Sequence, residues 1–157
     1  MRPILVFLAG VLISLAASAA DTGVSVSSAW SRATAPGQSS AGVWFTLISK
    51  EDATLVSISS TAARSAQIHS MTHENGMMKM RAIESLALPA GKAVELAPGG
   101  NHVMLFDLKR PLKAGDHVPL KLRIRYTDKH ESTLTVAAEV RALDAGTQDM
   151  QDHMHMH

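Results

Sequence analysis

The segment "HVPLKLRIRY", residues 117–126, decides the fold class because its apolar and charged residues alternate along the chain. Leu120, Leu122 and Ile124 would share one side of an extended segment, while the intervening lysine and arginines would share the other. This pattern is typical of a strand with one buried and one solvated face, which antiparallel sheets allow. The sequence therefore predicts strands here.

Working outward from this segment, six others have the β-branched and apolar composition of short strands. They are GVSVSSAW (23–30), AGVWFTLIS (41–49), ATLVSIS (53–59), SAQIHSM (65–71), HVMLFDL (102–108) and STLTVAAEV (132–140). Turn signals with glycine separate them, as in LPAGK (88–92), APGGN (97–101) and LKAGD (112–116). We predict an all-β fold, a Greek-key β-sandwich or barrel.

Two further expectations concern particular residues. The segment STAARSAQ, residues 60–67, is the one candidate for a short helix, because no other segment sustains helical spacing of apolar residues beyond a turn or two. Trp30 and Trp44 have apolar neighbours in the sequence, and we expect both side chains in the core.

The N-terminus has the features of an export signal. Arg2 precedes an apolar run too short to span a bilayer, and small residues follow as far as Ala20. We therefore predict a signal peptide at residues 1–20 and an exported protein with no membrane span after cleavage. Residues 21–142 are assigned to one domain, and residues 143–157 to a flexible, disordered His/Met-rich tail.

Composition excludes several functions. The chain has 15 lysines and arginines against 14 acidic residues, so there is no basic field for nucleic acid or anionic lipid. Cysteine is absent, which leaves an exported protein with neither disulfides nor thiol chemistry. A soft metal site would have to use thioether sulfur.

Soft metal donors are concentrated in "HSMTHENGMMKM", residues 69–80, which holds two histidines and four methionines. Residues two apart share a face of a strand, which gives three donor pairs: His69 with Met71, Met78 with Met80, and His102 with Met104. Two such pairs from neighbouring strands could close a site at one rim. His73, beside a predicted Asn75-Gly76 turn, is interpreted as solvated, with assistance to the metal as the alternative.

Donor chemistry then selects the metal. Thioether sulfur favours Cu(I), whereas imidazole suits copper in either oxidation state as well as zinc and nickel. Calcium and magnesium want several oxygens, and no run of carboxylates accompanies these donors. Zinc patterns call for cysteine or a third histidine with a carboxylate, and none is spaced for it. Cu(I) bound by two imidazoles and two thioethers is the best match.

The spacing of these donors resembles a known family. Ten residues separate His69 from Met80, twenty-one separate Met80 from His102, and one separates His102 from Met104. This is similar to the H(M)X10MX21HXM motif of the periplasmic Cu(A) chaperones, the PCu(A)C family. The resemblance continues in NGMMKMR, LPAG, LAPGGNHVMLFDL and LKAGD, and it covers residues 24–140. Four ligands with two fixed long spacers form a specific motif.

The resemblance implies a cupredoxin-like β-sandwich that binds one Cu(I) near its surface through His69, Met80, His102 and Met104, with Met71 as an optional donor. The implied role is a copper chaperone, not an enzyme. It would deliver copper toward the Cu(A) centre in the copper subunit of cytochrome c oxidase, alone or with a Sco-type chaperone.

Tails rich in histidine and methionine are associated in this family with a second copper site, often Cu(II). The matching donors here are Met150, His153, Met154, His155, Met156 and His157. The alternatives to oxidase delivery are a periplasmic copper buffer or resistance protein, or a copper donor to another acceptor such as a superoxide dismutase. A blue-copper electron carrier would need a cysteine, and a metallo-oxidase would need more histidines and an open coordination position.

Overall fold

The computed structural model describes residues 22–143, so the predicted signal peptide and nearly all of the predicted tail lie outside the described residues. Within this range the chain forms ten strands and no helix, and hence no helix long and apolar enough to cross a membrane. The strands are β1 (Val24–Arg32), β2 (Ser40–Ser49), β3 (Ala53–Ser59), β4 (Ala63–Glu74), β5 (Met77–Ile83), β6 (Leu86–Leu88), β7 (Ala93–Leu96), β8 (His102–Leu108), β9 (His117–Tyr126) and β10 (Glu131–Arg141).

All ten strands belong to one sheet with the order β5-β4-β8-β2-β1-β10-β9-β3-β6, and β7 pairs with β2 beyond the end of β8. Neighbouring strands are antiparallel except β1 and β10, which are parallel. The sheet curls until β3 packs against β4, which makes a barrel-like sandwich around one core. The predicted all-β sandwich or barrel is confirmed.

Alternating strands supply the core. Along β9 every second residue is buried, and Leu120, Leu122 and Ile124 have no exposed surface, while the lysine and arginines between them face solvent. Strand β2 does the same with Val43, Phe45 and Leu47. Burial of these aliphatic and aromatic side chains provides the main stabilisation of a chain that has no disulfide.

Residues 60–67, the one candidate for a short helix, do not form a helix. Residues 61–62 form a turn, and β4 begins at Ala63. Ala66 and Ile68 then pair with Leu105 and Val103 of β8, which completes the hydrogen bonding of this alanine-rich stretch in the sheet. Helix propensity is a weak preference that tertiary pairing overrides, and here the core side chains of β8 decide the outcome.

The expected core positions of the tryptophans are also wrong, because both rings lie half-buried on the outer face. Trp44 follows the alternation of β2, in which Val43 and Phe45 point inward. In β1, Val24 and Val26 point inward, and strict alternation would send Trp30 inward too. A β-bulge with Ser28 at a φ of 53° inserts one extra residue and turns Trp30 outward, opposite Trp44.

The alternation of β9 predicts a large loss of stability for one substitution and almost none for a substitution at the adjacent position. Leu122→Ala removes a fully buried side chain and should lower the free energy of unfolding by about 2–5 kcal/mol. Lys121→Ala, on the exposed face of the same strand, should change it by no more than about 0.5 kcal/mol. Urea unfolding followed by near-UV circular dichroism measures both. Similar midpoints for the two variants would contradict the assigned facing of β9.

Candidate metal centre

The predicted donors lie on the outer face of three neighbouring strands. His69 of β4 lies directly opposite His102 of β8, and the next residue pair on this face sets Gln67 opposite Met104. Strand β5 adds Met80 directly opposite Met71 of β4. Directly opposed residues share one face of an antiparallel sheet. The three same-face donor pairs expected from the sequence are therefore found.

An open cleft of about 340 Å³ brings most of these donors together. Met80, His102 and Met104 line it together with Met71, and no carboxylate contributes to its wall; the other lining residues are Arg32, Gly42, Trp44, Pro98 and Gly99. His69 does not line the cleft. It is buried beside it, with its ring centroid 5.5 Å from that of His102 and 5.9 Å from that of Phe106.

The hydrogen bonds of His102 leave one ring nitrogen available. Its Nδ1 lies 3.0 Å from the carbonyl oxygen of Gly100, which can only accept a hydrogen bond, so Nδ1 carries the proton. Nε2 therefore keeps a free lone pair. Fixing the tautomer through the second ring nitrogen is the usual way in which proteins orient a histidine ligand.

The two ring nitrogens of His69 have the opposite roles to those of His102. Its Nε2 donates to Oε1 of Gln67 at 3.1 Å, which leaves the lone pair on Nδ1. That Nδ1 is buried and has no hydrogen-bond partner among the described residues. An unsatisfied polar atom in the interior costs about 1–3 kcal/mol, so it calls for an explanation. A metal ion bound at Nδ1 would satisfy it.

Burial disfavours the protonated form of the His69 imidazole. Burial lowers the pKa of His69, and the nearby His102 imidazole lowers it further. A neutral imidazole is the form that binds a metal ion, so the buried position favours binding over protonation. Among residues 22–143 no three His, Asp or Glu side chains cluster closely enough to hold a metal ion.

Strand β2 forms a wall of the cleft that sequence reasoning did not assign to the site. Gly42 lies opposite Met104, and the Trp44 ring lies over it, so closely that a Cβ at position 42 would come within 2.8 Å of Trp44 Cζ2. Trp44 also packs against Trp30, with ring centroids 4.6 Å apart. The Arg32 guanidinium lies 5.6 Å from the Trp44 ring centroid, a cation–π distance. Val43 and Phe45 of β2 point inward, so the alternation of this strand could have predicted that Gly42 and Trp44 point outward.

The remaining predicted donors divide into two groups. His73 is exposed near the end of β4, beyond the cleft, as expected of a solvated residue. The tail donors Met150, His153, Met154, His155, Met156 and His157 lie outside the described residues.

The family model described as "Putative lipoprotein LpqE-like" matches residues 24–140 of this chain. The chain belongs to the LpqE-like family. Another protein similar to this LpqE-like chain is "Putative lipoprotein Lxx21020" of Leifsonia xyli subsp. xyli (strain CTCB07). The two are 37% identical over 139 residues, which is 85% of this chain and 82% of the relative.

Solved structures similar to this LpqE-like chain include PCuAC domains. The "apo PmoF2 PCuAC domain" is 26% identical with a TM-score of 0.62, over 78% of this chain and 93% of the domain. DR1885 from Deinococcus radiodurans is 32% identical in its apo form, with a TM-score of 0.59, over 90% of this chain and 94% of DR1885. Its Cu(I) form is 35% identical with a TM-score of 0.54, over 72% and 74%. The resemblance to the PCu(A)C family and the cupredoxin-like fold are confirmed.

Burial of His69 predicts a specific loss of stability in acid. Its folded-state pKa lies below the ordinary value of 6.5, so between these two pKa values the unfolded chain binds more protons than the folded chain. The free energy of unfolding should therefore fall as the pH decreases from 7 to 5. In copper-free buffer, urea unfolding of His69→Leu should show a smaller decrease than the wild type. An equal pH dependence of the two proteins would contradict a lowered pKa of His69.

Proposed function

We propose that the protein binds Cu(I) as cargo through His69, Met80, His102 and Met104, with Met71 as an additional donor. One observation carries this proposal: two histidines face each other across β4 and β8, each with an unused ring nitrogen, beside a cleft lined by thioethers. Neutral sulfur and imidazole donors match a soft monovalent ion, and a cleft without carboxylates offers little to hard cations.

The exposure of the donors suggests how the ion would leave. The Met80 side chain is 52% exposed and belongs to β5 at the edge of the sheet, whereas His69 is only 7% exposed. An acceptor can therefore reach Met80 first and displace it, while His69 keeps its bond until last. Thioethers carry no charge and bind less tightly than thiolates, so stepwise exchange toward a thiolate acceptor runs downhill.

We further propose that the protein is exported through its signal peptide and acts in the periplasm as a copper chaperone, not as an enzyme. The lipoprotein name of its Leifsonia relative supports export, and the Cu(I) form of DR1885 supports copper binding. The resemblance to the PCu(A)C family supports delivery toward the Cu(A) centre of cytochrome c oxidase, alone or with a Sco-type chaperone. In this proposal the His/Met-rich tail binds a second copper ion, as Cu(II), and feeds the core site after reduction by an external donor.

Replacing a core donor should abolish the tight site. Full-length protein titrated with Cu(I) against a chromophoric chelator should bind one ion tightly. His102→Ala and Met104→Leu should each weaken that site by about 100-fold or more, since even indirect partners of metal ligands contribute 10–100-fold. The matched control is Met77→Leu, an exposed methionine outside the cleft, which should leave the affinity unchanged.

Deletion of residues 148–157 separates the core from the tail in the same titration. The tight site should survive this deletion while the total copper bound decreases. Loss of all tight binding with the tail, or full affinity in His102→Ala, would contradict a copper site in the cleft.

Copper delivery is tested by measuring the transfer of Cu(I) from the loaded protein to an acceptor. Cu(I)-loaded protein mixed with the copper-free soluble copper domain of the oxidase subunit should lose its copper to that domain, because the acceptor thiolates bind Cu(I) more tightly than thioethers. Separation by ion exchange and metal analysis of each fraction measures the transfer. Copper that stays with the protein, or that moves only to superoxide dismutase in a parallel mixture, would contradict oxidase delivery and favour buffering or the other acceptor.

A further inference from the structure

The β4–β5 hairpin extends the donor face of the cleft outward. Its two-residue turn is Asn75-Gly76, with φ of 52° and 76°, the left-handed conformation that a tight hairpin requires. The turn fixes the pairing of β4 with β5, so Glu74 lies opposite Met77 and His73 lies opposite Met78. Every side chain in the hairpin is thereby assigned to one of its two faces.

The two faces of the hairpin have different chemistry. On one face, His73 and Met78 form a pair that directly follows the Met71 and Met80 pair. On the reverse face, Glu74 binds Lys79 at 2.8 Å and Arg81 at 3.3 Å. These ion pairs keep the charged groups of the hairpin away from the donor face. Beyond the Met71 and Met80 pair, the donor face of the hairpin consequently presents one imidazole and one thioether, those of His73 and Met78.

His73 and Met78 are accessible and uncommitted. Met78 is 47% exposed, and His73 is exposed as well. Neither side chain makes a hydrogen bond or ion pair within residues 22–143. Met78 does not belong to the buried core, so core filling does not explain a methionine at this position.

We propose that His73 and Met78 form an outer site for one soft monovalent metal ion, one residue pair beyond the cleft. This inference rests on the proposed copper-carrying function. Directly opposed residues have Cβ atoms about 4.5–5.5 Å apart, so one ion can contact the imidazole and the thioether of such a pair at the same time. Met78 and Met80 are two residues apart, about 7 Å along the strand. The outer site therefore adjoins the most exposed donor of the cleft, and movement of the ion between them exchanges only metal–donor bonds, without a change of oxidation state.

Nuclear magnetic resonance of the full-length protein with ¹³C-methyl-labelled methionine tests the outer site. Ag(I) serves as the probe because it is a soft monovalent ion that does not undergo redox chemistry here. The methyl signals of Met80 and Met104 should shift as the cleft fills. The Met78 methyl should shift in a separate saturable step, while the Met77 methyl on the reverse face should not.

Two variants test whether the His73 side chain binds the ion together with Met78. His73→Gln should weaken the Met78 step by about tenfold or more and leave the Met80 and Met104 steps unchanged. The matched control Met77→Leu alters an exposed methionine on the reverse face of the same hairpin and should leave all steps unchanged.

The outcomes separate the outer site from the cleft. A Met78 methyl that does not shift, or that shifts with equal affinity in His73→Gln, overturns the outer site even when Met80 and Met104 respond. A saturable, His73-dependent shift of Met78 without any response of Met80 and Met104 would support the outer site and contradict the copper site in the cleft.

Discussion

Ile68 and Val103 face each other across β4 and β8 inside the barrel, and their burial determines which residues of both strands face outward. Because side chains alternate with a period of two, the next pair along, His69 and His102, must meet on the outer face. A slip of one residue would turn one strand's histidine inward and expose an aliphatic side chain. The same hydrophobic contact that stabilises the sheet thus sets the geometry of the candidate site.

The tryptophan pair beside the cleft results from a departure from regular strand geometry. The bulge at Ser28 reverses the facing of β1 between Val26 and Trp30, which brings Trp30 against Trp44 and Arg32 beside the cleft. Gly42 leaves room for the Trp44 ring next to Met104. Methionine donors are flexible, and a rigid aromatic neighbour restricts the positions that the thioether can occupy.

The proposed function of an exported copper carrier is consistent with the absence of cysteine from the chain. Thioethers cannot form disulfides in an oxidising compartment, and they hold Cu(I) weakly enough to release it. The gradient of exposure from buried His69 to exposed Met80 gives the donors different accessibility to an acceptor. The hairpin beyond Met80 continues the same donor chemistry to its tip, where His73 and Met78 pair.

Sequence by itself determined the all-β class, because alternation in segments such as residues 117–126 follows directly from the period of a strand. Its residue chemistry and spacing also provided the candidate donors on which the proposed function rests. It did not determine the facing of Trp30, because a single inserted residue in a bulge leaves no mark on composition. It also offered residues 60–67 as a candidate helix, and pairing with β8 overrode that local preference. Only the tertiary structure decided that His69 is buried beside the cleft and that β2 supplies its wall, because both depend on strands distant in sequence becoming neighbours in the sheet.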